Sequence, residues 1–152
     1  MTLHILNCGE MRPWFAGWHS GCTALAVERD QGLVLVDCGP GEHDFIRPAA
    51  SVRLMKRVFG MRDDVEQTAA RQIVRLGYRP EDVGHIVMTH LHFDHAGGLA
   101  DFPRARVHLH RRELEASQRR RSPFDLAYDR ADFAHGPDWA LYDRPDADWQ
   151  QP

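Results

Sequence analysis

The feature that most constrains this chain is the stretch T-H-L-H-F-D-H-A-G-G, which spans residues 89–98. Its ligand-type side chains fall within six positions: His90, His92, Asp94 and His95. Imidazole and carboxylate groups are ligands that zinc, iron and manganese accept. This density of ligand types, directly after a β-branched apolar run, is not typical of a solvated loop. The stretch therefore predicts a metal-binding loop.

The spacing within the loop suggests two groups of ligands. His90 and His92 are two positions apart, and in extended backbone leaving a strand such side chains point to the same side. Both rings can then reach one ion. A helix that begins near Ala96 would redirect Asp94 and His95, which could then hold a second ion. Four residues would thus provide two ligands to each of two ions.

A two-ion centre of this kind predicts hydrolytic chemistry. Ions roughly 3.5–4 Å apart bridge a water and lower its pKa toward about 7, so that a hydroxide can attack an ester, lactone, thioester or phosphoester. Asp94 is the predicted catalytic carboxylate, which orients the hydroxide and passes its proton to the leaving group. Gly97 and Gly98 are expected to give the backbone freedom for a sharp turn under the ions.

The rest of the pattern predicts an α/β fold with the loop at the end of a strand. Five strands are predicted at 3–8, 22–28, 33–37, 84–89 and 105–110. A helix is predicted at 64–76, capped by Asp63 or Asp64 and ended by Gly77, and another at 111–121. Residues 40–62 are expected to be irregular apart from an amphipathic turn around 52–59. Residues 122–152 are expected to form an irregular tail of a single domain, 1–152.

Composition narrows the environment and the partners. The net charge of −3 gives no bulk attraction to nucleic acid or to an anionic membrane. The basic run at 119–121 is expected to be a solvated helix end. Three cysteines without a C-x-x-C pair argue against a disulfide framework, and core positions are expected for two of them. Neither a signal peptide nor a transmembrane run is apparent, so a cytoplasmic location is predicted.

The loop resembles the metallo-β-lactamase superfamily, whose motif H-x-H-x-D-H is matched in full. Residues 33–39, L-V-L-V-D-C-G, resemble an earlier strand of that family, where Asp37 would be a carboxylate behind the metal loop. Residues 64–83 resemble the lead-in to the motif, and the likeness covers roughly 3–115. The wording H-L-H-F-D-H-A-G-G is nearest to acyl-homoserine lactonase-like members. The resemblance implies a four-layer αββα sandwich with a mixed sheet flanked by helices.

The resemblance also implies a second half, which would add a histidine in a Pro-Gly-His context, a bridging aspartate and a last histidine. After His95 the sequence offers His108 and His110, expected to be a solvent-facing pair, and His135, which is not in that context. The later aspartates Asp143, Asp146 and Asp148 lie in the polar tail without a preceding strand. The chain is therefore interpreted as the N-terminal half of the fold.

Three explanations of a half-fold stay open, with the first preferred: a fragment, a short member completed by another chain, or a form that has lost its activity. A half-fold would expose an apolar sheet face and strand edges, which favours pairing with a copy of itself or with a complementing C-terminal half.

The predicted function is a metal-dependent hydrolase of lactones, esters or thioesters, with two divalent ions, zinc first and iron or manganese as alternatives. Its partner is a small-molecule substrate. Two other hypotheses remain: a non-catalytic metal-binding or interaction module, and a di-iron redox member of the same fold. The aromatic residues Trp14, Phe15 and Trp18 could line an apolar acyl pocket or serve as plain packing.

Overall fold

A computed structural model describes residues 1–30, 32–119, 125 and 127–143 of the chain. Its six strands form one sheet in sequence order: β1 Leu3–Met11, β2 Ser20–Arg29, β3 Gly32–Val36, β4 Val83–Val87, β5 Arg106–His110 and β6 Asp138–Tyr142. The pairs β1–β2 and β2–β3 are antiparallel, whereas β3 to β6 run parallel. The predicted α/β class with a mixed sheet flanked by helices is confirmed, and all five predicted strands are present.

Five α-helices accompany the sheet within the described residues: α1 Glu42–Ile46, α2 Ala50–Phe59, α3 Ala69–Arg75, α4 Phe93–Ala96 and α5 Arg111–Ser117. Short 3-10 helices lie at Val65–Gln67, Pro80–Asp82, Gly97–Asp101 and Arg130–Phe133. The expectation of an irregular segment at 40–62 was wrong, since two helices form there, but the amphipathic turn expected around 52–59 lies within α2. Gly60 ends α2 in the left-handed region at φ 61°, where an L side chain is disfavoured.

The core forms because apolar side chains from the strands and from the helices are buried together. Leu33 and Leu35 of β3 and Ile86 of β4 are almost fully excluded from solvent, as are Ile73 of α3 and Val52 of α2. The three cysteines are free and buried, whereas core positions were expected for only two of them. On β1, by contrast, Ile5 is 74% exposed, which agrees with the expected uncovered apolar surface.

The predicted helix at 64–76 is interrupted. A 3-10 turn comes first, and its N-cap Asp64 accepts a hydrogen bond from the Glu66 amide. The chain then becomes extended at Thr68, whose hydroxyl donates to Val65 O and accepts from the Arg71 amide. Thr68 therefore acts as a second N-cap and restarts the helix as α3. Gly77 follows at φ 92°, as predicted for the residue after a helix.

The expectation of an irregular tail from residue 122 was wrong at 138–142, where β6 pairs with β5 in parallel register. The strand segment D-W-A-L-Y is short and set among charged residues, which concealed its apolar character.

The predicted helix at 111–121 ends at Ser117. Arg120, Arg121, Asp146 and Asp148 lie outside the described residues. The extent of the single domain, 1–152, stays a prediction.

Candidate metal centre

The ligand-rich loop connects the end of β4 to the start of α4. The carbonyl oxygen of His92 accepts hydrogen bonds from the amides of His95 and Ala96, at 2.9 and 2.8 Å. These bonds close the first helical turn, so His92 is the N-cap of a helix that begins at Phe93. The predicted change from extended to helical backbone is therefore present, three residues earlier than Ala96. It turns Asp94 and His95 out of the direction set by the strand.

The fold brings the four predicted ligands together. One ligand atom from each of His90, His92 and Asp94 lies within 4.8 Å of the others, so these three could hold one ion. His95 adjoins this group, with Nε2 3.7 Å from Asp94 Oδ2 and its ring centroid 4.0 Å from that of His90. The sequence grouped Asp94 with His95; the geometry keeps these two side chains close and also brings Asp94 within 4.8 Å of the first histidine pair. Ligation by these residues stays a prediction.

Asp37, expected behind the loop, contacts it directly. Its side chain is buried, and Oδ2 lies 2.8 Å from His95 Nδ1 and accepts the Thr89 hydroxyl at 2.7 Å. Oδ1 accepts the Thr89 amide at 2.8 Å. The residue adopts φ 55°, the only positive value of a non-glycine residue in the described chain. This unusual backbone aims the carboxylate at the loop.

Burial and the neighbouring charges shift the pKa values of His90 and His95 in opposite directions. Burial lowers the pKa of His95, but the hydrogen bond that His95 donates to Asp37 and the charge of Asp94 outweigh that effect and raise the pKa overall. Burial, together with the neighbouring His95 and His92, lowers the pKa of His90. A deprotonated imidazole is the form that ligates a metal. The lowered pKa of His90 favours its ligating form, and the contact with Asp37 leaves Nε2 of His95 to face His90, His92 and Asp94.

The two glycines after the loop have a different role from the one expected. Gly97 has φ −55° and begins a 3-10 helix, so no sharp left-handed turn occurs there. A Cβ on Gly97 would lie 2.2 Å from Asp44 Oδ2, and one on Gly98 would lie 2.7 Å from Cys38 O. Glycine is needed because neighbouring segments pack closely against the backbone, not because the backbone needs an unusual dihedral angle.

Two residues that the sequence did not single out also support the loop. Glu113 on α5 accepts a hydrogen bond from the Leu91 amide at 2.9 Å, between the two first histidines. Tyr128 packs edge-to-face on the His92 ring, with centroids 4.6 Å apart. Burial and a hydrogen bond with Glu113 raise the pKa of Tyr128 to about 12, so it stays neutral. No spacing rule links these positions to the motif.

The later histidines lie elsewhere. His108 is buried, with Nε2 2.9 Å from His85 Nδ1 and Nδ1 2.8 Å from the Tyr142 hydroxyl, so the expectation of a solvent-facing pair was wrong. His110 caps α5 through Nδ1, which accepts the Arg112 amide. Among the described residues, the group that could hold an ion on this loop does not include His135.

The aromatic loop between β1 and β2 is on the surface. The three aromatic side chains of this loop are 85, 55 and 47% exposed for Trp14, Phe15 and Trp18, so plain core packing is excluded for them.

Asp143 forms a surface ion pair with Arg111 at 2.5 Å. Within the described part of the chain, no helix has the length and apolar character to cross a membrane.

A parallel-rich sheet with an H-x-H-x-D-H loop at the end of a central strand defines the class of α/β metallo-hydrolase folds. The sequence profile of the metallo-beta-lactamase superfamily matches residues 17–146. The chain therefore belongs to the metallo-beta-lactamase superfamily.

Two curated relatives show the range of similarity. The chain is 45% identical over 138 residues to "Probable metallo-hydrolase Rv2300c" of Mycobacterium tuberculosis, covering 90% of this chain and 44% of that protein. It is 33% identical over 100 residues to an N-acyl homoserine lactonase of Bacillus cereus, covering 62% of this chain and 38% of the relative. The chain thus spans less than half the length of these relatives.

Solved structures share the fold. An N-acyl homoserine lactone hydrolase with the product N-hexanoyl-L-homoserine bound at its catalytic metal centre superposes with a TM-score of 0.71 at 24% identity, covering 92% of this chain and 58% of that one. The dizinc quorum-quenching lactonase AidC gives a TM-score of 0.67 at 17% identity, covering 97% of this chain and 60% of that one.

Proposed function

We propose that this chain provides part of the active site of a metal-dependent hydrolase that opens lactones or cleaves related esters and thioesters. The observation that carries the proposal is the arrangement around His95. Asp37 occupies Nδ1, and Nε2 faces a group in which ligand atoms of His90, His92 and Asp94 lie within 4.8 Å of one another. The names of the relatives favour a lactone, since several are N-acyl homoserine lactonases.

Under this proposal His90, His92, Asp94 and His95 hold two divalent ions, with zinc favoured by the chemistry of the ligands and by the dizinc neighbour. When bound, the ions would lower the pKa of water and polarise the substrate carbonyl. Asp94, 19% exposed, accepts a proton from the attacking water and returns it to the leaving alkoxide. Tyr128 limits the movement of the His92 ring.

The four residues are only part of a two-ion ligand set. The remaining ligands are left to residues outside the loop, on this chain, on a longer form of it or on a second chain. The exposed Trp14, Phe15 and Trp18 are proposed to contact the acyl part of the substrate, which would explain why three large aromatic side chains are held in solvent.

The test is the metal content of the chain together with hydrolysis of N-hexanoyl-homoserine lactone, a matched ester and a matched thioester. We expect zinc in the purified protein and a loss of at least one ion per chain in His92→Ala. The matched control is His19→Ala, an exposed histidine outside the loop, which should keep the metal content of the parent protein.

Equal metal content in His92→Ala and the parent would overturn the proposed site. Metal bound at the loop without hydrolysis, even in a form extended to the length of its relatives, would overturn the hydrolase and favour the non-catalytic metal-binding module. Faster cleavage of the thioester than of the lactone would contradict the preferred substrate class while leaving the hydrolase intact.

A further inference from the structure

A second group of ligand-type side chains lies outside the loop of His90 to His95, where α1 meets the 3-10 helix at Arg130–Phe133. His43 Nε2 is 3.1 Å from Asp132 Oδ1 and 3.3 Å from Asp44 Oδ1. Both aspartates are fully buried, and the His43 side chain is 36% exposed. One ligand atom from each of the three lies within 4.8 Å of the others. We call these three residues the His43 cluster.

Two buried oxygens of the His43 cluster have no hydrogen-bond donor. Asp44 Oδ2 accepts the Gly41 amide at 2.9 Å, but Asp44 Oδ1 receives no hydrogen bond. Asp132 Oδ1 faces His43, and Asp132 Oδ2 is likewise unsatisfied. Buried carboxylate oxygens are rarely left without a partner, because they lose the hydration that they have in water. The two oxygens favour a positive group that contacts both carboxylates, which the hydrogen bonds of the surrounding side chains do not provide.

The surroundings of the cluster disfavour the ionised form of its carboxyl groups. Burial, together with the charges of Asp44 and Asp129, raises the pKa of Asp132 to about 7 despite its hydrogen bond from His43. Burial likewise raises the pKa of the nearby Asp101 to about 6. A cation placed among these carboxyl groups would stabilise their ionised forms.

The nearest lysine does not fill this role. Lys56 Nζ donates to the backbone oxygen of Asp44 at 2.8 Å and pairs with the carboxylate of Asp63, so it does not reach the unsatisfied oxygens. The alternative positive group is a proton on His43, whose pKa is raised to about 9, chiefly by the hydrogen bond with Asp132. A single proton on Nε2 can be directed at only one of the two carboxylates, so it provides no donor to the other.

We propose that His43 Nε2 and one carboxylate oxygen each from Asp44 and Asp132 bind a divalent first-row transition-metal ion, separate from the loop of His90 to His95. The contacts of 3.1 and 3.3 Å from Nε2 match the edge of a tetrahedron, roughly 3.3 Å when the metal–ligand bonds are about 2.0 Å. One histidine and two carboxylates are a donor set that zinc accepts. The exposed side of His43 leaves a fourth position open to water.

The site has a structural consequence for the loop. Asp44 packs against Gly97, where an added Cβ would lie 2.2 Å from Oδ2, and Gly97 follows α4 directly. An ion on the His43 cluster would therefore fix α1 and the 3-10 helix at Arg130–Phe133 beneath the end of α4. Its ligands come from outside the metal loop, so its occupancy can be measured with the loop silenced.

The test uses the full chain with His90→Ala and His92→Ala, which removes two of the proposed loop ligands. Zinc is titrated in competition with a chromophoric chelator at pH 7.5. We expect one ion per chain to remain. Adding Asp132→Asn to this background should weaken zinc binding by roughly 10–100-fold or more. The matched control is Asp101→Asn, a neighbouring carboxyl outside the group of three, which should weaken binding much less.

Circular dichroism shows whether each variant folds. If Asp132→Asn does not fold, His43→Gln takes its place, because its partly exposed side chain tolerates change, and the same loss is expected. Zinc should also raise the melting temperature of the background chain but not that of His43→Gln. No zinc binding in the folded background chain would overturn the site and leave the His43 proton as the partner. Undiminished binding in the folded ligand variants would overturn it as well.

Discussion

Asp37 Oδ2 and His95 Nδ1 lie 2.8 Å apart, although 58 positions separate the two residues in the sequence. The contact joins the end of β3 to the first turn of α4. It fixes the ring orientation of His95. Nδ1 then faces the carboxylate of Asp37, and Nε2 faces the loop ligands His90, His92 and Asp94. A carboxylate behind a ligating histidine raises the basicity of that ligand and orients it.

The first prediction concerns Asp37→Asn. Asparagine tolerates the left-handed backbone at this position, so the change removes the negative charge with little added strain. We expect zinc affinity at the loop to fall roughly 10–100-fold, because His95 loses its charged partner. The measurement is chelator competition on the chain carrying Asp132→Asn, which removes the contribution of the His43 cluster. Asp30→Asn, an exposed aspartate, is the control. An unchanged zinc affinity in Asp37→Asn would show that the Asp37 carboxylate does not strengthen zinc binding by His95.

The clustering of side chains in the loop at residues 89–98 was predictable because its information is local. Four ligand-type residues in six positions, next to a β-branched strand, specify which side chains meet and roughly how they point. The turn into α4 was predicted as well, although its start at Phe93 depends on hydrogen bonds to His92 O. The contact with Asp37 was expected only through the family resemblance, since no spacing rule connects a strand end with a residue 58 positions later.

The remaining parts of the site depend on long-range packing. Glu113 reaches the Leu91 amide from another helix, and Asp132 meets His43 across 89 positions. The buried state of His108 depends on Tyr142 of β6, a strand that the charged sequence around it concealed. The glycines after the loop looked like turn residues, but close packing against Asp44 and Cys38 explains them. Each of these features requires the fold before it can be inferred.

The second prediction tests that close packing with Gly97→Ala. The added Cβ would lie 2.2 Å from Asp44 Oδ2, whose carboxyl is buried and cannot move into solvent. We expect a loss of about 1–3 kcal/mol in the free energy of unfolding, measured by urea denaturation. Gly84→Ala is the matched control, because nothing lies within 4 Å of its Cβ position. Its effect should stay within about 0.5 kcal/mol. Equal effects of the two changes would contradict the packing argument.

The third prediction concerns Glu113→Ala. This change leaves the Leu91 amide without its acceptor and removes the hydrogen-bond partner of Tyr128. We expect about 1–3 kcal/mol of destabilisation and a weaker zinc affinity at the loop, because the backbone between His90 and His92 becomes less restrained. Glu115→Ala, two positions along the same helix and paired with Arg119 on the surface, serves as the control. A zinc affinity as high as in Glu115→Ala would show that Glu113 does not position the loop.

The fourth prediction is a pH dependence that originates at His108. Burial, together with the charge of His85, lowers the pKa of His108 from 6.5 to about 4 in the folded chain. In the unfolded chain the pKa of this imidazole keeps its ordinary value of 6.5. Between these two values the unfolded state binds more protons than the folded state. The stability that the neutral ring contributes is therefore fully present above pH 6.5 and is lost as the pH falls toward 4.

For the metal-stripped protein we expect this residue to cost up to about 2 kcal/mol of unfolding free energy between pH 7 and pH 5. The measurement is urea denaturation at a series of pH values for the parent chain and for His108→Gln. Because the other titratable groups are shared, the difference between the two slopes reports His108 together with its coupling to His85. His108→Gln should show a shallower loss of stability over this interval, even if it is less stable at pH 7. Parallel curves would mean that the protonation of His108 is not coupled to folding.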